Sequence, residues 1–126
     1  MIQFNAHQLQ QLAQAEQDTF VDKVQAHFLQ TYIPDAREPW GDYTPPELRA
    51  LIERGIARAK QYGFNSEEEW FDFLVCQMAL GEGFECDPRY PWAAAILNDT
   101  QGLERSQRLY KAMIMQRHID IREEVR

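Results

Sequence analysis

Glu82, Glu85 and Asp87 place three carboxylates in one short stretch, with the thiol of Cys86 among them. Two neighbouring carboxylates do acid–base work when burial drives their pKa values apart, so that one holds a proton while the other stays ionised. Here the neighbours are Gly81, Gly83 and Pro88, which argue for an open, hydrated loop. A second acidic group, Glu67, Glu68, Glu69 and Asp72, falls where a helix start recruits acids to its dipole. Both groups read as acidic surface, and a small hydrolase built on the loop carboxylates is the chemical alternative.

Other chemistries find less to work with. His7, His27 and His118 stand singly and the two cysteines are ten residues apart, so no zinc-ligand spacing is present. A nucleophilic Cys86 would need an oriented base, and nothing beside it supplies one. Gly81-Glu82-Gly83 lacks the lysine and the helix start of a phosphate loop and carries the wrong charge. No cofactor, metal or catalytic residue is therefore expected.

The elements that position this stretch read as helices. Asn5 with Gln8 can cap a first helix, on which Leu9, Leu12, Ala13, Phe20, Val24 and Phe28 recur at helical spacing until Ile33-Pro34. A loop holding Trp40 and Tyr43 leads to Thr44-Pro45-Pro46-Glu47, a cap with proline at the first helical position. The second helix puts Leu48, Leu51, Ile52, Ile56 and Ala59 on one face and stops at Gly63. Ser66 and Glu69 open a third helix that is apolar on nearly every side from Trp70 to Leu80, as suits a helix enclosed by others. Pro88 and Pro91 predict a stiff, extended connection over Asp87–Tyr90. A short helix from Pro91 to Leu97 follows, then a turn and a last helix from about Leu103, with Leu109, Tyr110, Met113 and Ile114 apolar and Arg105, Arg108, Lys111 and Arg117 elsewhere on its surface. The expected fold is all-α, a single-domain bundle of about five helices over residues 1–126 with an apolar central helix. The first helix occupies 1–33, and 113–126 is a polar helix end.

The 126 residues are 44% hydrophobic and 12% aromatic, enough for a folded core. The net charge of −7 is concentrated: residues 64–102 hold eight acids against Arg89 alone, whereas residues 103–126 are net basic. Such a surface suits a basic protein partner and not nucleic acid, whose backbone is gripped by clustered Lys and Arg. No run is apolar enough for a membrane span, and the glutamine-rich opening has no apolar signal core, so a cytoplasmic address is expected. Reduced cysteines agree with that address. Among the tryptophans, Trp70 reads as core, Trp92 as core or interface, and Trp40 fits either the edge of the core or a partner-facing surface. The expected partner-binding residues are Glu82, Glu85, Asp87, Trp92 and Trp40.

The pattern from Leu48-Arg49 through Ile52-Glu53-Arg54-Gly55-Ile56-Ala57-Arg58-Ala59, then Tyr62-Gly63-Phe64, Ser66-Glu67, Phe84, Asp87-Pro88, Pro91-Trp92-Ala93, Ile96-Leu97 and Arg108-Leu109-Tyr110, resembles a family of small cytoplasmic proteins found in bacterial type VI secretion effector gene clusters. The resemblance covers residues 44–112 and departs from the family at Cys86, where an acid is frequent, and in the C-terminal tail. It implies an adaptor or co-chaperone that holds an effector before loading onto the secretion spike, and it carries over no catalytic residue. An immunity protein that blocks a cognate toxin is the rival reading. Partner identity and oligomeric state are open.

Overall fold

The computed structural model describes residues 5–31, 43–100 and 102–125. Trp40 and the Ile33-Pro34 stop lie outside the described residues. The protein is all-α: helices α1 (Ala6–Thr31), α2 (Pro45–Gln61), α3 (Glu67–Leu80), α4 (Pro91–Leu97) and α5 (Arg105–Val125), with a 3-10 turn at Phe84–Cys86. Among the described residues there is no strand, and no helix is long and apolar enough to cross a membrane. The chain divides into two compact units, Met1–Ile52 and Glu53–Arg126, with the boundary inside α2.

In the first unit, Asn5 and Gln8 cap α1 reciprocally, each side-chain oxygen accepting the other's backbone N–H. Among the described side chains the buried face of α1 runs through Phe20, Val21, Val24 and Phe28, while Leu12 and Ala13, expected on the same face, are exposed; the side chain of Leu9 lies outside the described set. Helical spacing gives a face its direction but not its length. The start of α2 is fixed by the Glu47 N–H donating to Thr44 Oγ1. Arg49 ties it to α1 through Asp22 at 2.6 Å, and the Gln25 side-chain amide donates to the Pro45 carbonyl at 3.0 Å.

The second unit is organised around α3. Ser66 and Glu69 form a complete capping box, and at the other end the Gly81 N–H closes onto the Gln77 carbonyl at a φ of 105° that favours glycine. Every residue from Phe73 to Met78 is buried, including Gln77, as its all-round apolar sequence requires. Phe73 is the aromatic centre, 5.2 Å from the Phe84 ring and 6.4 Å edge-on to Phe64. Trp70, expected in the core, is only half-buried: its Nε1–H donates to the Phe64 carbonyl at 2.7 Å and Lys60 lies over its ring. An indole N–H wants an acceptor, and the one in reach lies at the helix edge.

At Gly55 the α2 backbone runs tightly against side chains of α3. A Cβ there would stand 2.6 Å from Leu74 Cδ2 and 2.8 Å from Gln77 Nε2, both on buried side chains. On an open helix Gly→Ala gains about 1 kcal/mol. At this position Gly55→Ala is expected to lower the unfolding free energy by roughly 1 to 3 kcal/mol, because the packed pair must move. Leu74→Ala, which empties the site from the other side, should cost roughly 2 to 5 kcal/mol. Urea titration of the three proteins checks both, and a Gly55→Ala variant as stable as wild type would contradict the close approach.

Candidate functional site

The segment from Gly81 to Trp92 is held from within. Phe84 is buried against Phe73, and the 3-10 turn around it is closed by the Cys86 N–H donating to the Gly83 carbonyl and the Asp87 N–H to that of Phe84. Burying Phe84 draws its neighbour inward too. Glu85, expected to be solvated, is 3% exposed. Its Oε1 makes an ion pair with Arg58 Nη2 of α2, and among the described residues neither carboxylate oxygen accepts a well-formed hydrogen bond. The charge is thus compensated by one guanidinium, in a place where water compensates little.

One helical turn earlier on α2, Arg54 grips Glu82 with a two-point contact, Nε to Oε2 at 2.7 Å and Nη2 to Oε1 at 3.2 Å. The Arg54 hydrogen bonds hold the Glu82 carboxyl below its ordinary value of 4.5, against a smaller upward push from burial. Asp87 is engaged locally, accepting from the Arg89 backbone N–H at 2.9 Å and from its guanidinium at 2.8 Å. These Arg89 hydrogen bonds lower the Asp87 pKa. The Tyr90 N–H donates to the Asp87 carbonyl at 3.0 Å, so Asp87–Tyr90 is a tight turn and not the extended connection expected from its prolines. Pro88 fixes the φ of the second turn position, and Asp87 is a favoured first residue because its carboxylate can take the N–H two residues on.

Each carboxylate of the sequence-derived site therefore has its own arginine. Glu82 and Glu85 face α2, Asp87 faces its own turn, and no two form an acid–base couple. Trp92 is half-buried, its Nε1–H donating to Gln116 Oε1 of α5 at 3.2 Å, with Gln116 Nε2 passing a hydrogen bond on to Asp120 at 2.9 Å. Trp40, the fifth expected contact, lies outside the described residues. Both cysteines are free thiols: Cys76 is buried, which drives its pKa far above the usual range, while Cys86 is exposed beside Tyr62. Among the described residues no group of three or more His, Cys, Asp or Glu is arranged to hold a metal ion.

The residues that shape the site are the arginines. Arg54 and Arg58 are four apart, hence on one face of α2, and that spacing was the available signal, since residues 64–102 hold eight acids and only one base of their own. Arg105, which reads as a surface cation of α5, is half-buried: Nη1 donates to the Leu97 carbonyl and Nη2 to that of Tyr62, both at 2.7 Å, with the guanidinium 5.0 Å from the Phe64 ring centre. It satisfies carbonyls at the C-terminal ends of α4 and α2 together, as a planar fork can. Beyond the turn lies a cleft of about 720 Å³, lined by Arg89, Tyr90, Gln116, Arg117, Asp120 and the acids Glu123 and Glu124. It carries both signs of charge.

The two arginine contacts differ in burial, which makes them separable. Arg58→Ala strands a buried carboxylate and is expected to cost roughly 3 to 5 kcal/mol. Arg54→Ala opens a solvent-facing pair and should cost at most about 1 kcal/mol. Equal losses in chemical denaturation would contradict the burial of Glu85. Because the folded pKa of Glu82 is depressed, its contribution is present above its unfolded value and is lost as pH falls through the folded one. The stability difference between wild type and Glu82→Gln should accordingly shrink in acid below about pH 4.5, which unfolding midpoints measured over a pH series will show.

Comparison of the chain with protein-family models, with curated proteins and with solved structures finds no match in any of the three.

Proposed function

We propose that this protein is a non-enzymatic binding module, an adaptor or co-chaperone that holds a type VI secretion effector, or that effector's adaptor chaperone, until loading. The observation that carries the binding reading is the exposed apolar side chains of α5: Tyr110, Ile114 and Ile121 share one side of the helix, and Met115 and Ile119 reach solvent on another. A helix that spends five large apolar side chains on water has a surface suited to another protein. The choice of a secretion effector as client rests on the sequence resemblance over residues 44–112.

The fate of the acidic loop favours binding over catalysis. Its carboxylates are engaged by Arg54, Arg58 and Arg89 in contacts that fold the segment, which leaves them poorly placed to exchange protons with a substrate. Glu85 is too enclosed to meet a partner, so of the acidic residues expected to bind one, only Glu82 and Asp87 remain within reach.

Co-expression with the proteins encoded beside it tests this reading. The expected result is co-purification with an effector or its chaperone and a several-fold fall in effector abundance when this chain is deleted, with no protection of cells from the toxin. Neutralisation of a toxin by this chain alone would replace the adaptor with an immunity protein. Turnover of a substrate that is abolished by Glu82→Gln would replace it with an enzyme.

A further inference from the structure

One exposed side of α5 has a pattern beyond being apolar. At about 100° per residue, Tyr110, Ile114, Arg117 and Ile121 fall within a narrow arc, spaced by four, three and four like the seam of a helix that packs against another helix. All four are exposed. The seam is distinct from the inner side of the same helix, where Leu109 and Met113 are buried in their own unit. Along one flank lie Lys111, His118 and Arg122, likewise exposed. Lys111, Arg117 and Arg122 make no ion pair among the described residues, whereas Arg49, Arg54, Arg58, Arg89 and Arg108 each have a carboxylate. In a chain of net charge −7, three cations of α5 without an ion pair among the described residues thus stand in or beside one seam.

We propose that this seam docks an amphipathic helix of a partner protein whose flank is acidic, and that Lys111 and Arg122 select it by charge. The proposal deepens the binding reading given above and rests on it. The seam from Tyr110 to Ile121 is about 16 Å long, three helical turns, which matches a short helical segment of a client. The mixed-charge cleft adjoins it through Arg117, so a side chain leaving the docked helix at that level meets Arg89 and Asp120.

Two other occupants fit the charges less well. In an antiparallel pairing with a second copy, the basic flank meets itself, and like charges face each other. In a parallel pairing, Lys111 and His118 oppose Ser106 and Met113, which are buried in their own unit and offer no acid. An anionic membrane would attract Lys111 and Arg122, but Asp120, Glu123 and Glu124 at the same end of the helix oppose it.

The test uses the full chain and a synthetic helical peptide with leucines at seam positions and glutamates on the flank that meets Lys111 and Arg122, against a twin with lysines in place of the glutamates. Fluorescence anisotropy should show binding of the glutamate peptide, weakening as salt rises, and at least tenfold weaker binding of the lysine twin. The double variant Lys111→Glu, Arg122→Glu should invert that preference, and Ile114→Asp should abolish binding of both, with circular dichroism confirming an unchanged fold. Failure of the glutamate peptide to bind, or equal binding of the two peptides, overturns the proposal. So does binding confined to phosphatidylserine vesicles, or sedimentation as a dimer that Ile114→Asp dissolves. If the chain still co-purifies with a neighbouring effector and Ile114→Asp leaves that complex intact, the surface is wrong while the adaptor reading stands. If it co-purifies with none, the adaptor reading itself fails.

Discussion

With its side chain almost wholly enclosed, Glu85 carries a charge that water cannot reach, and Arg58 of α2 is the cation that meets it. Around this contact the Glu53–Arg126 unit becomes intelligible. Phe84 must be buried to complete the aromatic cluster of Phe73 and Phe64, and burying Phe84 takes Glu85 with it, since the two are adjacent in a single tight turn. The closed aromatic core thus goes together with a guanidinium placed against the enclosed carboxylate. A buried ion pair of this kind adds little net stability, but its geometry admits few alternatives, and it fixes where the segment after α3 lies against α2.

The same logic runs through the other arginines. Arg54 repeats the contact one helical turn away in a wetter setting, and Arg105 replaces ion pairing with hydrogen bonds to two carbonyls at helix ends. Each joins pieces distant in sequence. The negative character concentrated in residues 64–102 is thereby partly cancelled in the folded state, and among the described residues α5 keeps Lys111, Arg117 and Arg122 exposed without an ion pair. Charge counted along a chain and charge presented to a partner are different quantities, because folding spends some of the first in holding itself together.

Local signals were legible in the sequence. The reciprocal caps at Asn5 and Gln8 and at Ser66 and Glu69 involve residues three apart, and the glycine stop at Gly81 is a property of one backbone position. The burial of Phe73–Met78 in α3 agrees with its apolar composition, while Trp70 and Phe71 at its start are only partly covered. What depended on distant partners was not legible. Glu85 and Asp87 look alike as acids in a loop, and only the turn that buries Phe84 sends one inward and leaves the other to Arg89. Arg105 looks like any cation on a helix until α2 and α4 bring their carbonyls to it. Leu12 and Phe20 belong to one apolar pattern, yet the structure buries only the second.

The two thiols stand at opposite ends of this unit's range of accessibility. Cys86 follows Glu85 directly and is open to solvent, whereas Cys76 lies in the middle of α3 and is held as a neutral thiol by its surroundings. A thiol-specific reagent meets Cys86 in the native protein but meets Cys76 only after the centre of the unit has opened. The chain thus carries two clocks of different depth: one reports local loosening of the turn beside the buried ion pair, the other the rarer opening of the core.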